Sequence, residues 1–109
     1  MTLQDELMDI EHRLALGRGA EYREVLADDA LIVVPGAVLT ASECIAAMDD
    51  SPGWDEVTLQ DVRMIADAAT ASVVYEFRGQ RGETEYTATL ASTYRLPSRR
   101  LVLHQQTPH

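Results

Sequence analysis

The sequence predicts an α+β fold, in which N-terminal helices pack on a strongly curved antiparallel sheet shaped like a half-cone. Two observations predict it. Apolar residues recur at helical spacing in much of the first half of the chain, whereas four long strand-like runs separated by turn residues follow Trp54. The 109 residues are enough for one hydrophobic core, so we expect a single domain over residues 1–109.

Two capping boxes predict where helices begin. Thr2 and Asp5 precede an amphipathic helix of about four turns, which is expected to end at the first glycines of the chain. Thr40 and Glu43 open another helix, which ends before Pro52. The apolar positions of the first helix are Leu3, Leu7, Ile10 and Leu14.

Between these helices we predict a short helix over residues 20–29 and a short buried strand over residues 30–34, which Pro35 ends. The four later runs cover approximately residues 55–66, 70–78, 83–96 and 100–107. Alternation slips within the first of them, which predicts a β-bulge near Gln60 and Asp61. Long, bent strands of this kind curve around a cavity, where small ligands bind.

Composition excludes several classes of function. The net charge is −9 and the chain contains no lysine, so it lacks the positive surface that binds nucleic-acid phosphates. The longest apolar stretch, residues 30–41, is interrupted by Pro35 and is too short for a membrane span. The acidic N-terminus lacks the apolar core of a signal peptide. We therefore expect a cytoplasmic protein with neither a nucleic-acid nor a membrane partner.

Charge is distributed unevenly along the chain. Residues 1–67 contain 15 acidic residues and four arginines, whereas residues 68–109 contain three acidic residues and five arginines. This pattern fits an acidic helical half lying against a mildly basic sheet. It also fits a sheet that favours an anionic ligand, and the sequence leaves both interpretations open.

Metal and thiol chemistry have little support in the sequence. Cys44 lies on the apolar side of a predicted helix, which favours a small buried hydrophobic residue over a nucleophile. No two histidines have the i, i+4 spacing of metal ligands on a helix. We expect no metal and no cofactor. The three histidines are His12, His104 and His109.

Four stretches together resemble the nuclear transport factor 2-like superfamily, which includes SnoaL-like and ketosteroid-isomerase-like proteins. They are "LADDALIVVPG", "TASECIAAM", "STYRL" and the terminal "HQQTP". Within the superfamily the chain resembles a subfamily of unknown function that ends in the same terminal motif. The resemblance implies a cystatin-like half-cone over nearly the whole chain. It does not imply one activity, because this superfamily contains isomerases, cyclases, dehydratases, epoxide hydrolases and binding domains.

The resemblance argues against ketosteroid isomerase chemistry in this chain. In that enzyme the general-base aspartate precedes the proline after the first strand, and this position is Val34 here. The position of its oxyanion tyrosine on the first helix corresponds to Ile10. Neither side chain donates or accepts a proton, so that mechanism is not expected.

The candidate ligand-binding residues lie on the last strands. Tyr75, Ser92 and Tyr94 share one face of the predicted hairpin, which we interpret as the concave face. Tyrosine hydroxyls there either contact a ligand or bond to backbone at the rim, and the sequence does not choose. A turn within "GQRG" would place Tyr75 opposite Tyr86 and Glu76 opposite Glu85.

That last pairing has two interpretations. Two facing carboxylates repel, so one is protonated or bridged by Arg78 or Arg95, and a carboxyl with a raised pKa is a feature of general acids. Alternatively, Glu76 and Glu85 lie on the outer face and extend into water.

The terminal motif depends on the last turn. An even-length loop places Gln105 in the pocket and His104 and Gln106 on the outer face. A three-residue loop inverts this, so that His104 and Gln106 point inward with Ser92. His104 is then either a structural residue or an acid–base group, and the candidate pocket residues are Tyr75, Tyr94, Ser92, His104 and Gln105.

These observations favour a small-molecule-binding domain with an apolar, tyrosine-rimmed pocket, which dimerises through the outer sheet face around Val74 and Val102. One alternative is a cofactor-free isomerase, cyclase or lyase that uses His104 or a perturbed glutamate as its acid or base. Another is a dimerisation module with a filled core. The sequence identifies no catalytic residue, and whether the chain is an enzyme stays open.

Overall fold

The computed structural model describes residues 1–51 and 53–109. Three helices and six strands lie in this part of the chain. They are α1 (Leu3–Leu16), α2 (Gly19–Val25), β1 (Leu26–Val34), β2 (Ala37–Thr40), α3 (Ala41–Asp50), β3 (Glu56–Ala66), β4 (Thr70–Arg81), β5 (Thr84–Arg95) and β6 (Arg100–Pro108).

Both predicted capping boxes are formed. The Thr2 hydroxyl accepts a hydrogen bond from the Asp5 backbone N–H at 3.1 Å, and the Asp5 carboxylate accepts from the Thr2 N–H. Thr40 and Glu43 make the same reciprocal pair at the start of α3. The local sequence therefore fixes where these two helices begin. None of the helices described is long and apolar enough to cross a membrane.

The prediction of a helix through residue 29 was wrong, because α2 ends at Val25 and β1 begins at Leu26. The reason is a set of long-range contacts. Leu26 pairs with Leu101 of β6, and the Asp29 carboxylate forms a two-pronged ion pair with Arg95 of β5 at 2.8 and 2.9 Å. These partners hold the segment as a strand against its local helical pattern.

The six strands form one sheet in the order β2-β1-β6-β5-β4-β3. Neighbouring strands are antiparallel except β1 and β6, which run parallel. The sequence pattern did not reveal β2, which returns along β1 after a tight turn at Pro35 and Gly36. Gly36 has φ +84°, a backbone conformation that glycine adopts readily.

The predicted bulge in β3 is present. Gln60 pairs with Glu76 and Arg63 pairs with Val74, so two β3 residues face one residue of β4. Asp61, inside the bulge, has φ +56°.

The predicted register of the β4–β5 hairpin was wrong. Its turn lies at Gly82, whose φ is +57°, and Arg81 pairs with Thr84. Glu76 therefore lies opposite Thr89 and not opposite Glu85. The glycine that adopts the left-handed conformation sets the turn two residues later than predicted.

A second bulge decides the orientation of the chain end. The β5–β6 turn leaves four residues between the paired Arg95 and Arg100, and Tyr94 pairs with Leu101. The pairing then slips by one residue at Val102, so that Ser92 lies opposite His104.

This slip turns His104 and Gln106 toward the concave face and leaves Gln105 exposed on the outer face. The expectation that Gln105 faces the pocket was therefore wrong. The even-length loop was right, but one extra residue in β6 inverts the face of everything after it.

The core lies between the concave face of the sheet and the helices. Its largest fully buried side chains are Tyr94, Leu7, Leu101, Val73 and Ser92. On the opposite, outer face of the sheet, Leu31, Val38 and Leu103 remain substantially exposed.

Candidate functional site

A cavity of about 240 Å³ lies between the helices and the concave face of the sheet. Most of its lining is apolar, and most of its polar groups belong to two sets, one on α1 with the central strands and one near the β4–β5 turn. A volume of this size fits a small organic molecule. The apolar lining residues include Leu14, Ile32, Val34, Leu39, Met48 and Leu90.

Glu11 is the centre of the first polar set. It lies on the buried face of α1 between Leu7 and Leu14, and only 3% of its surface is exposed. Buried carboxyl groups are found where hydrogen-bond donors surround them. This one accepts from three hydroxyl groups that the sheet presents to it.

Two strands supply these hydroxyls. The Tyr75 hydroxyl of β4 donates to Glu11 Oε1 at 2.6 Å, and the Ser92 hydroxyl of β5 donates to the same oxygen at 2.9 Å. The Tyr94 hydroxyl donates to Oε2. Together with His104, these four residues form what we call the polar wall. Its hydrogen bonds connect Glu11 of α1 to side chains of β4 and β5.

Burial sets the protonation of the polar-wall tyrosines. Removal from water, with the Glu11 charge as the next cause, raises the pKa of both Tyr75 and Tyr94 far above the usual phenol value. Burial also raises the pKa of Tyr22, whose hydroxyl donates to the Leu14 carbonyl at 2.9 Å. These phenols therefore remain protonated donors over the whole ordinary pH range.

The polar wall continues from Ser92 to the terminal motif. Ser92 Oγ lies 2.7 Å from His104 Nδ1, and His104 Nε2 lies 3.2 Å from Gln106 Nε2. The Tyr86 hydroxyl donates to Gln106 Oε1 at 2.9 Å. An unbroken hydrogen-bonded chain thus runs from Tyr86 to Glu11.

The Glu11 carboxylate, which accepts from three hydroxyls, gives this chain its direction. A carboxylate only accepts, so the single Ser92 proton points at Glu11, and His104 Nδ1 must carry the proton that it donates to Ser92. His104 Nε2 is then an acceptor. It receives the Gln106 amide, whose carbonyl oxygen accepts from Tyr86.

His104 is neutral at pH 7 in this arrangement. Burial lowers the pKa of its imidazole below the usual 6.5, and the Glu11 charge opposes that effect only in part. A neutral imidazole with a lone pair on Nε2 accepts a hydrogen bond or a proton from a group in the cavity, once Gln106 releases it.

The second polar set, which we call the aromatic rim, consists of Trp54, Phe77, Tyr86 and Arg81. The Trp54 and Tyr86 rings stack with centroids 5.9 Å apart and planes 8° apart, and Phe77 meets Trp54 edge-on at 6.1 Å. The Arg81 guanidinium lies 4.7 Å from the centre of the Trp54 ring.

Gly79 makes this packing possible. A Cβ atom there would lie 2.6 Å from the Trp54 ring and 2.9 Å from the Phe77 ring, closer than real contacts allow. Any side chain at position 79 would therefore displace the indole that supports Arg81.

The sequence-predicted residues occupy different positions. Tyr75 and His104 line the cavity, whereas Ser92 and Tyr94 are buried behind the lining, where Ser92 contacts both Glu11 and His104 and Tyr94 contacts Glu11. Gln105 lies on the outer face.

Sequence reasoning missed Glu11, Trp54 and Arg81. A usable signal existed for Glu11, since it follows Leu7 by four residues and precedes Leu14 by three, on the apolar stripe of α1.

The other candidates from the sequence are the facing glutamates and Cys44, and neither is arranged for catalysis. Glu76 accepts hydrogen bonds from the Thr89 hydroxyl, while Glu85 pairs with Arg78 at 2.7 Å on the outer face, so the predicted facing carboxylates do not meet. Cys44 lines the cavity as a buried free thiol, and burial raises the pKa of that thiol to about 11. The thiol is therefore protonated and a poor nucleophile at pH 7.

Solved structures show which fold this is. A nuclear transport factor 2-like protein from Cytophaga hutchinsonii is 20% identical, with a TM-score of 0.81 over 100% of both chains. A nuclear transport factor 2-like protein of unknown function from Pseudomonas aeruginosa is 14% identical, with a TM-score of 0.73 over 96% of this chain and 94% of that one. The CaMKII hub homology domain from Chlamydomonas reinhardtii is 13% identical, with a TM-score of 0.74 over 100% and 99%.

The chain therefore has the nuclear transport factor 2-like α+β cone fold, as the sequence motifs indicated. No protein-family model matches it, and no curated protein matches it in sequence. At these identities the likeness establishes the fold alone, so function has to be argued from the cavity.

Proposed function

We propose that this protein binds a small, mostly apolar molecule in the cavity between α1, α3 and the concave sheet face. The observation that carries the proposal is the composition of the lining, which is mostly apolar, with polar groups concentrated in two sets at defined positions. Such a cavity favours a ligand with an apolar body and one or two hydrogen-bonding groups. Its presence speaks against the alternative of a module with a filled core.

Within this proposal the polar wall fixes the shape of one end of the cavity. Tyr75 and His104 line the cavity directly; Tyr75 is held by Glu11, which also accepts from Ser92 and Tyr94, and His104 is held by Ser92. Preorganised groups of this kind lose little freedom when a ligand binds.

A blocking substitution tests the proposal. Ala47 lines the cavity and is exposed, whereas the neighbouring Ala46 is exposed on the same helix but does not line it. In calorimetric titration with small apolar probes such as indole and cyclohexanol, Ala47→Phe should lower affinity at least ~10-fold and Ala46→Phe should not. Equal affinity in both variants would exclude this cavity as the binding site.

We also propose a homodimer formed through the outer sheet face. Leu31 and Leu103 pair across β1 and β6 and are 47% and 36% exposed, and the neighbouring Val38 is 61% exposed. Contiguous apolar surface of this kind is a common interface feature. The predicted centre at Val74 lies on the same face of β4.

Sedimentation tests the dimer. Wild type should sediment as a dimer at micromolar concentration, and Leu103→Glu should shift it toward monomer because it places a charge in the interface. Leu16→Glu, at an exposed apolar position on α1, is the control and should remain dimeric. A wild-type monomer across this range would contradict the proposal.

A second candidate function is cofactor-free acid–base catalysis by His104, as in an isomerase, cyclase or lyase. The observation that favours it is the neutral His104 imidazole in the cavity, with Nδ1 held by Ser92 and its lone pair on Nε2. Its test is deuterium incorporation from solvent into the α-carbon of cyclohexanone, followed by NMR. Wild type should accelerate exchange, and His104→Gln should remove roughly 10²-fold of that rate. No acceleration by wild type would leave binding as the function.

A further inference from the structure

One donor on a residue that lines the cavity lacks a partner. Arg81 Nε is buried from solvent and makes no hydrogen bond to any described residue. Buried N–H groups are nearly always paired, so an unpaired one on a charged side chain that lines a cavity indicates a missing acceptor. The polar wall shows the contrast, since each of its hydroxyl groups has a partner.

Aromatic side chains fix the position of Arg81. Its guanidinium lies over the Trp54 ring at 4.7 Å, and Trp54 is held in turn by Tyr86. A guanidinium stacked on an aromatic ring still directs its N–H groups outward in its own plane. Such a planar fork of donors matches an acceptor with two oxygens.

The charge of the cavity lining near Arg81 also favours an anionic ligand group. Among the described residues that line the cavity, Arg81 is the one arginine, and it forms no ion pair within the described chain. Arg78 on the same strand and Arg95 at the far end of β5 each pair with a carboxylate. An unpaired guanidinium in an apolar cavity attracts an anion from the ligand.

Glu11 does not prevent this. The carboxylate of Glu11 is held by Tyr75, and Tyr75 and Arg81 are six residues apart along β4. At about 3.3 Å per residue, their backbone positions are separated by about 20 Å. The negative charge of the polar wall and the positive charge of the aromatic rim therefore lie toward different ends of the cavity.

We propose that the cavity selects small apolar carboxylic acids, bound as carboxylates with both oxygens on the Arg81 guanidinium and with the apolar body in the cavity. This inference rests on the proposed binding function and specifies its ligand class. A carboxylate supplies the acceptor that Arg81 Nε lacks, and its two oxygens match the planar fork of the guanidinium.

The test uses phenylacetate and hexanoate, each paired with its primary amide, which keeps the shape and removes the charge. Trp54 is the single tryptophan of the chain and contacts Arg81, so its fluorescence reports binding directly and calorimetry checks the affinity. We expect wild type to bind each acid at least ~10-fold more tightly than its amide.

Substitutions on β4 then locate the effect. Arg81→Met should reduce acid binding to the amide level and leave amide binding unchanged, and Arg81→Lys should retain part of the preference. Arg78→Met is the matched control, because Arg78 lies on the same strand but faces outward, and its acid preference should equal that of wild type.

The outcomes separate the two proposals. If acids and amides bind wild type equally, or if Arg81→Met keeps the preference, the carboxylate inference is wrong while the binding function stands. If neither probe binds, the proposed function fails and the inference fails with it. The wild-type comparison of acid with amide decides the matter even if Arg81→Met does not fold.

Discussion

The polar wall and the aromatic rim belong to the same cavity but differ at their central residues, Glu11 and Arg81. In the polar wall, Glu11 accepts from three buried hydroxyls and each is satisfied within the protein. In the aromatic rim, Arg81 Nε is buried without an acceptor. Satisfied groups stabilise the fold, whereas an unsatisfied one costs stability and is retained where a ligand completes it. In our proposal, one end of the cavity is structural and the other recognises the ligand.

The largest effect should follow the loss of Glu11. Glu11→Ala leaves three buried hydroxyls without their acceptor and should lower the free energy of unfolding by about 3–5 kcal/mol, measured by urea denaturation. Asp9→Ala, at an exposed acidic position on the same helix, is the control and should change it by less than about 0.5 kcal/mol. Similar values for the two variants would show that the polar wall is not structural.

A single donor in the polar wall should matter less. Tyr94→Phe removes one hydrogen bond to Glu11 and should cost about 1–2 kcal/mol, because the acceptor is charged and the site is buried. Tyr86→Phe removes a hydroxyl that donates to the neutral Gln106 in a partly buried position, and should cost about 1 kcal/mol or less. Thermal and urea unfolding of the two variants would be compared, and the reverse order would contradict the ranking.

These experiments bear on what the sequence could predict. The capping boxes and the β3 bulge were predicted because each is encoded by residues close together in the chain. The face on which Gln105 lies was not predicted, because it depends on a one-residue slip of register at Val102, and no local sequence pattern indicates that slip. The parallel pairing of β1 with β6 likewise depends on contacts between distant segments.

Glu11 shows the same limit within the candidate site. A charged residue in a helix is ordinarily exposed, so its place on an apolar stripe was the only local signal. What makes its burial tolerable is a set of donors 64, 81 and 83 residues further along the chain. The packing of α1 against β4 and β5 brings these donors to Glu11, and the hydrophobic periodicity of the sequence does not predict that packing.

His104 should give a smaller and pH-dependent effect. Its pKa is lowered in the folded protein, so below about pH 6.5 the unfolded chain binds a proton that the folded chain does not. The contribution of His104 to stability is therefore complete above that pH and declines as the pH falls toward its folded pKa.

His104→Gln tests this directly by urea denaturation between pH 8 and pH 5. At pH 8 the variant should be less stable by about 1 kcal/mol for one lost hydrogen bond, and the difference should shrink as the pH decreases. A difference that grows on acidification would mean that His104 is charged in the folded protein.

The smallest effect on stability should come from the aromatic rim. Arg81→Met removes a buried unpaired N–H and replaces it with a shorter apolar side chain. The free energy of unfolding should therefore change by less than about 0.5 kcal/mol, or rise slightly. Chemical denaturation without ligand measures it. A loss comparable to that of Glu11→Ala would place Arg81 among the structural residues and remove the contrast between the two sets.

The most direct measurement of that contrast is a proton–nitrogen NMR titration with phenylacetate, which observes the Arg81 Nε–H and the His104 ring nitrogens in one experiment. Arg81→Lys assigns the arginine signal by its disappearance. We predict that the Arg81 Nε–H shifts downfield on saturation, as it gains an acceptor, while the protonated Nδ1 of His104 keeps its shift because its bond to Ser92 is already made. An unmoved Arg81 signal together with a displaced His104 signal would contradict the account, because the ligand would then be recognised by the polar wall and not by the aromatic rim.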